Sequence, residues 1–230
     1  MRWLYTVVIA LAAGFAGSAA WDLTGLGDRS TRAWLLANPE VLPEAMQVLQ
    51  QREQLARIEP LRGELETPFP GAVLGNPTGS VTLVEFSDYA CTYCRQSVAN
   101  VDALIAANPD LKVVMREYPI LHPESVEAAR MALAAAQQGK YARFHEAMFR
   151  IGLTSAEAIE AAATESGVDL AMARQAIASG AFDLQLHANA TLASELGISG
   201  TPGWVVGDRT FNGAVPRETL GDAIEEARRS

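Results

Sequence analysis

Two cysteines occur in the 230 residues, and they stand three positions apart as Cys91-Thr92-Tyr93-Cys94. Their surroundings constrain the fold more than any other feature of the chain. Ahead of them, Val81-Thr82-Leu83-Val84-Glu85-Phe86 is a short, mostly apolar run that reads as a buried strand. Behind them, Ser97 to Ala107 reads as a helix ending near Asn108-Pro109. Lys112 to Tyr118, with Val113-Val114-Met115 inside it, reads as a second strand. Strand, helix and strand make a βαβ unit, so the fold class is α/β and the cysteines stand at the start of the unit's helix.

That position suits thiol chemistry. The thiolate is the reactive form of cysteine, and unpaired N–H groups and the macrodipole at a helix N-terminus favour negative charge. Cys94 lies one helical turn on and can reach back to Cys91. A bridge across two residues closes almost no loop, so its value is chemical rather than stapling. An oxidised pair can pass its bond to another protein, and a reduced Cys91 can attack a disulfide that Cys94 then resolves. Structural zinc needs four ligands, and the chain holds two cysteines and three histidines, none close to the pair in sequence. A Cu(I) site on two soft thiolates stays open as an alternative. The formal net charge of −9, with no basic stripe, argues against nucleic acid as a partner.

Arg2 is followed by the uncharged run Trp3 to Trp21, which ends in Ala16-Gly17-Ser18-Ala19-Ala20. Residues 1–20 read either as a secretory signal peptide cleaved near Ala20 or as an uncleaved membrane anchor. Both readings export the remainder, to a periplasmic or envelope location where a working disulfide persists. Asp22 to Ser30 reads as a polar spacer, and residues 31–58 read as helical, broken at Asn38-Pro39 by an N-cap residue and a first-turn proline. Leu42, Ala45, Met46 and Leu49 then form one apolar stripe about two turns long. The stripe reads equally as a face packed on the main domain or as a self-association surface within residues 39–57. Residues 59–74, rich in proline and glycine, read as a linker. Residues 123–197 are helical in pattern and are punctuated by Gly139, Gly152, Gly167 and Gly180. Trp204-Val205-Val206 and Arg209 to Asn212 flank Gly207-Asp208 as a hairpin, and Pro216 to Arg229 reads as a closing helix.

The stretch Val84-Glu85-Phe86-Ser87-Asp88-Tyr89-Ala90-Cys91-Thr92-Tyr93-Cys94, with Gly197-Ile198-Ser199-Gly200-Thr201-Pro202 far downstream, resembles the thioredoxin-fold disulfide oxidoreductases of the DsbA type, in their Com1-like and ScsC-like branch. The similarity runs from about residue 75 to residue 230 and includes Gly139-Lys140-Tyr141-Ala142-Arg143-Phe144-His145. Pro39 to Gln51 resembles the N-terminal oligomerisation segment of ScsC-like proteins. The resemblance implies a thioredoxin fold with a helical domain inserted at about residues 123–187, preceded by an N-terminal helical segment. It implies Cys91 as nucleophile, Cys94 as resolving thiol and Glu85 as a buried acid that moves protons. It makes Pro202 a cis-proline beside the disulfide, presenting Thr201 to a substrate strand. It implies no cofactor beyond the cysteine pair, exported proteins with cysteines as substrates, and a redox-recycling partner that nothing in the sequence names. The Thr92-Tyr93 dipeptide departs from the Pro-His of the best-known oxidases and leaves oxidase, isomerase and reductase open, with oxidase the preferred reading and a copper-binding protein the alternative from another class. Tyr93 is read as a substrate-contacting rim residue, with Tyr89 and Trp204 as rim or core. His122 is read as a loop residue, His145 as packed in a helix, and His187 as ordinary.

Overall fold

The computed structural model describes the backbone of residues 2–24 and 26–229 and, within it, the side chains of residue 3, residues 5–15 and residues 30–229. The chain divides into two compact units, residues 1–50 and 51–230.

The first unit is helical. α1 spans Arg2–Thr24, α2 spans Leu26–Ala37, and α3, Val41–Ile58, begins here. The expected polar spacer at Asp22–Ser30 is instead helical on both sides of residue 25. It contains no proline, and helix propagates cheaply once flanking turns are formed. Asn38 closes α2 rather than capping α3: its backbone N–H and its Nδ2 both donate to the Trp34 carbonyl, at 2.9 and 2.8 Å. Leu42, Met46 and Leu49 on α3 are exposed. Among the described residues no helix is long and apolar enough to cross a membrane. The expected small-residue site at residues 16–20 lies outside the described side chains.

The second unit is built on a five-stranded sheet in the order β1-β3-β2-β4-β5, formed by β1 (Val73–Gly75), β2 (Val81–Ser87), β3 (Leu111–Glu117), β4 (Gly203–Val206) and β5 (Arg209–Asn212). β2 and β3 are parallel, as the crossover through α5 (Thr92–Ala107) requires, and the other pairs are antiparallel. Both central strands are buried along their length. One face carries Val81, Leu83, Val113, Met115 and Trp204 against α5 and α11 (Arg217–Arg229). The other carries Val84, Phe86, Val114 and Val205 against Ile58, Leu65, Leu192 and Leu196. Each such buried side chain contributes roughly 1.5–3 kcal/mol.

Between β3 and β4 the chain makes five helices: α6 (Pro123–Gln137), α7 (Tyr141–Ile151), α8 (Ala156–Ser166), α9 (Leu170–Ala178) and α10 (Asp183–Glu195). The expected helical insertion is therefore present. Its last helix, α10, runs past residue 187 and returns to the sheet, where Leu192 and Ala193 join the second face. Gly152 and Gly167 close α7 and α8 with φ of 74° and 77°, a region that suits glycine.

Residues 59–74, expected as a linker, are built into the unit. A 3-10 turn (Glu59–Leu61) and α4 (Arg62–Leu65) lead to β1, which pairs with β3. Arg116, buried on the second sheet face, holds them there. Its guanidinium donates to the carbonyls of Glu64, Leu65 (2.9 Å) and Thr67 (2.8 Å) and to Asn189 Oδ1 (3.2 Å). A proline- and glycine-rich stretch looks irregular locally, and here its backbone partners come from a residue about fifty positions downstream.

Candidate active site

β2 ends at Ser87, and Asp88 fixes the turn into α5. One carboxylate oxygen accepts from the Ala90 N–H (2.9 Å), and the other accepts from the N–H groups of Ile120 (2.9 Å) and Leu121 (3.0 Å). Asp88 thus ties the β2–α5 turn to the loop after β3. Its own carbonyl accepts from the Cys91 N–H at 3.0 Å.

Cys91 is the N-cap of α5. Its backbone is extended (φ −79°, ψ 119°) and its sulfur accepts from the Cys94 N–H at 3.4 Å. Sulfur takes the place of the oxygen that caps most helices, and negative charge is welcome there. The Cys91 thiol is pulled down to about 5: the Cys94 thiol beside it is the largest cause, burial opposes it, and the Thr201 side chain and the N–H groups of Cys94 and Tyr93 add to it. Cys94 is driven the other way, above the ordinary thiol range, by burial first, then by the Cys91 sulfur and the charge of Glu85. Accessibility divides the pair in the same sense, with 5% of Cys91 reachable and 0% of Cys94. Both are free thiols.

Thr201 and Pro202 come from the loop before β4, 110 residues downstream. The Thr201–Pro202 peptide is cis, and the Cys91 S–H donates to the Thr201 carbonyl at 3.2 Å. Glu85 lies on β2 with 3% of its surface exposed, and its Oε1 accepts from Ser97 Oγ at 3.3 Å. Burial pushes its carboxyl up to about 8, the Ser97 hydrogen bond opposes this, and the charges of Glu117 and Cys91 add to it. The fold therefore brings Cys91, Cys94, Glu85, Thr201 and Pro202 together. Tyr93 stands at the surface between the cysteines, 58% exposed. Tyr89 and Trp204 are buried and belong to the core, because their strand and turn positions point inward.

Sequence reasoning missed Asp88 and Glu117. Glu117 ends β3 and is 2% exposed. Its Oε1 accepts from Tyr141 Oη (2.7 Å) and Tyr89 Oη (3.3 Å), and burial pushes its carboxyl up to about 8. Arg116-Glu117 reads locally as an ordinary charged strand end. The available signal was the parallel register, which sets Glu117 beside Ser87 on the face that carries Glu85. His145 is packed, stacked on Tyr141 and 3.4 Å from Tyr89 Oη, and burial holds it down at about 4. His122 is the N-cap of α6, and His187 lies on α10. Among the described residues no group of three or more His, Cys, Asp or Glu side chains gathers as a metal set.

A thioredoxin-like oxidoreductase from Silicibacter pomeroyi DSS-3 is similar to this chain at 41% identity, with a TM-score of 0.65, over 69% of this chain and 92% of that one. The thiol-disulfide exchange protein alpha-DsbA2 from Wolbachia pipientis matches at 27% identity and a TM-score of 0.70, over 77% and 97%. A periplasmic thioredoxin-like protein from Salmonella enterica serovar Typhimurium matches at 26% and 0.64, over 74% and 97%. Among curated proteins, the Na(+)/H(+) antiporter NhaA 3 of Salinispora tropica is 29% identical over 159 residues, 67% of this chain and 24% of the relative. The chain thus spans about a quarter of the length of the curated relatives it matches. The N-terminal domain of copper resistance protein ScsC matches residues 32–56, across the break between α2 and α3. The DsbA-like thioredoxin domain matches residues 82–225, from β2 into α11, and so takes in every element that builds the cysteine site; the chain belongs to that family.

Proposed function

We propose that the chain is a thiol–disulfide oxidoreductase of the cell envelope that acts as an oxidase on cysteines of exported proteins. The observation that carries this is the opposed pair of thiols: Cys91 lowered to about 5 at the head of α5, and Cys94 raised beneath it. A substrate thiolate attacks Cys91 Sγ, the Cys91–Cys94 bond breaks, and its electron pair leaves on Cys94. A second substrate thiolate then attacks its partner sulfur, and Cys91 leaves as a stable thiolate. A dithiol form stabilised as thiolate makes the disulfide a stronger oxidant, which favours the oxidase direction. Thr201 and Pro202 position the substrate strand, Tyr93 offers it an apolar contact, and Glu85 exchanges a proton with Cys94. The redox equivalents reside in the cysteines, and an envelope partner of unassigned identity reoxidises them. The test is oxidation of a reduced dithiol peptide by the oxidised protein. Stoichiometric disulfide formation that Cys91→Ser abolishes supports the proposal, and an inert wild-type protein overturns it.

A second reading, an oligomeric isomerase, draws on the match of residues 32–56 and the exposed Leu42, Met46 and Leu49 on α3. It predicts that scrambled ribonuclease is refolded by the reduced form alone and that Met46→Lys with Leu49→Lys lowers the mass in light scattering. The similarity to a copper resistance protein's N-terminal domain also makes Cu(I) on the two thiols worth titrating, and no tight complex in native mass spectrometry removes that alternative.

A further inference from the structure

The exchange chemistry above uses one buried acid, Glu85; Glu117 and Asp88 are buried as well, and Asp88 is committed to the backbone N–H groups of Ala90, Ile120 and Leu121. β2 and β3 run in parallel register with Ser87 beside Glu117 and Glu85 beside Met115, so both carboxyls project from the same sheet face. Strand spacing and rise place their Cα atoms about 8 Å apart on the diagonal. Ser87, on the same face and beside Glu117, has a buried hydroxyl that acts on the Cys94 thiol. Tyr89, which donates to Glu117, lies two residues before Cys91, and Tyr141 reaches the same oxygen from α7. We infer that Glu117 is a positioning residue for the exchange reaction, a second buried carboxylate that keeps the exchangeable proton on Glu85 and so ready for Cys94. The inference rests on the oxidoreductase reading and adds a residue to it.

The two carboxyls are unequally supported. Two like charges on one buried face do not both ionise readily, so the pair retains a proton. Glu117 accepts from two phenols, one at 2.7 Å, whereas Glu85 accepts from a single serine hydroxyl at 3.3 Å. Both carboxyls are pushed up to about 8, and hydrogen bonds to a carboxylate favour its charged form, so Glu117 ionises first and the last proton stays on Glu85. The groups that face Glu117 are Glu85 from β2, Asp88 and Tyr89 from the turn, and Tyr141 from α7, with His145 behind Tyr89. Arg116, its neighbour on β3, turns to the opposite face and donates to the carbonyls of residues 64–67, so it does not neutralise this side. When a substrate thiolate bonds to Cys91 Sγ, the Cys91–Cys94 bond breaks and its electron pair goes to Cys94 Sγ. That sulfur takes the proton from the Glu85 carboxyl. The substrate sulfur is oxidised, the protein is reduced, and Glu85 is left as a carboxylate beside Glu117.

The test is the pH profile of the reaction between the oxidised full chain and a dithiol peptide, followed by stopped flow. In wild type the rate carries a limb that Glu85→Gln removes. Glu117→Gln deletes the neighbouring charge, so that limb moves down by about one pH unit while the limb from the peptide's own thiol stays in place. Tyr141→Phe withdraws the stronger donor, moves the proton onto Glu117 and shifts the limb in the same direction, which supplies a reading should Glu117→Gln fail to fold. A limb that stays at the wild-type pH in either folded variant overturns the role of Glu117 and leaves the oxidoreductase reading standing. A wild-type protein without exchange overturns both. A purely structural Glu117 would lower stability and leave the limb unmoved.

Discussion

Glu85→Gln should stabilise the protein, and only above the carboxylate range. Below about pH 4.5 the carboxyl holds its proton in the folded and unfolded chain alike, so the residue makes no pH-dependent difference. Above that, the unfolded chain releases the proton while the fold, whose carboxyl sits at about 8, keeps it. Stability then falls by about 1.4 kcal/mol per pH unit until the folded carboxyl also ionises. The displacement from 4.5 to about 8 sets an upper bound of about 5 kcal/mol, and coupling to Glu117 and the Ser97 hydrogen bond bring the expectation to about 2–5 kcal/mol. Glutamine is neutral throughout and escapes this loss. Urea unfolding of the reduced proteins should therefore show nearly equal stability at about pH 4 and a Gln advantage that grows and levels off by about pH 9. A difference that is constant with pH, or a Gln variant weaker than wild type at the alkaline end, would refute the placement of Glu85 as a buried, proton-holding acid.

Three further outcomes are expected. Cys94→Ala removes the largest cause of the lowered Cys91 thiol, so its ultraviolet thiolate titration should move up from about 5 by about one to two pH units. Arg116→Leu leaves the carbonyls of Leu65 and Thr67 without their donor, and should cost about 2–4 kcal/mol in chemical denaturation with the Cys91 titration unchanged. Tyr93→Ala touches an exposed ring and should raise KM for a dithiol peptide severalfold with no loss of stability.

The legible part of the fold was the part whose causes are local. Val81–Phe86 and Lys112–Tyr118 announced themselves by apolar runs, the insertion by a helical pattern with glycine stops, and the hairpin by Gly207-Asp208. β2, β3, β4 and β5 appear within a residue or two of those expectations. α5 begins at Thr92 with the Cys91 sulfur as its cap, as expected of cysteines at the start of the helix, although the helical pattern itself is legible only from Ser97. Residues 59–74 were opaque for the opposite reason: β1 is three residues long and exists by pairing with β3, and the carbonyls of α4 are answered by Arg116. The site shows the same division. Cys91 and Cys94 stood out by spacing, and Glu85 was picked out by the family resemblance, with the apolar run around it agreeing that it is buried. Thr201 and Pro202 needed a family resemblance to connect them across 110 residues. Glu117 looked like a strand end, and only the partner strand and two tyrosines from separate segments give it a buried environment.

The central claim is that Cys91 attacks and Cys94 resolves. Reacting Cys94→Ser and Cys91→Ser variants with a disulfide-bonded peptide, then mapping the products by mass spectrometry, tests it most directly. The account predicts a stable mixed disulfide on Cys91 in the Cys94→Ser protein and no adduct in the Cys91→Ser protein, whose remaining thiol is buried and raised. Equal trapping on either cysteine, or an adduct on Cys94 alone, would contradict the division of labour between the two sulfurs.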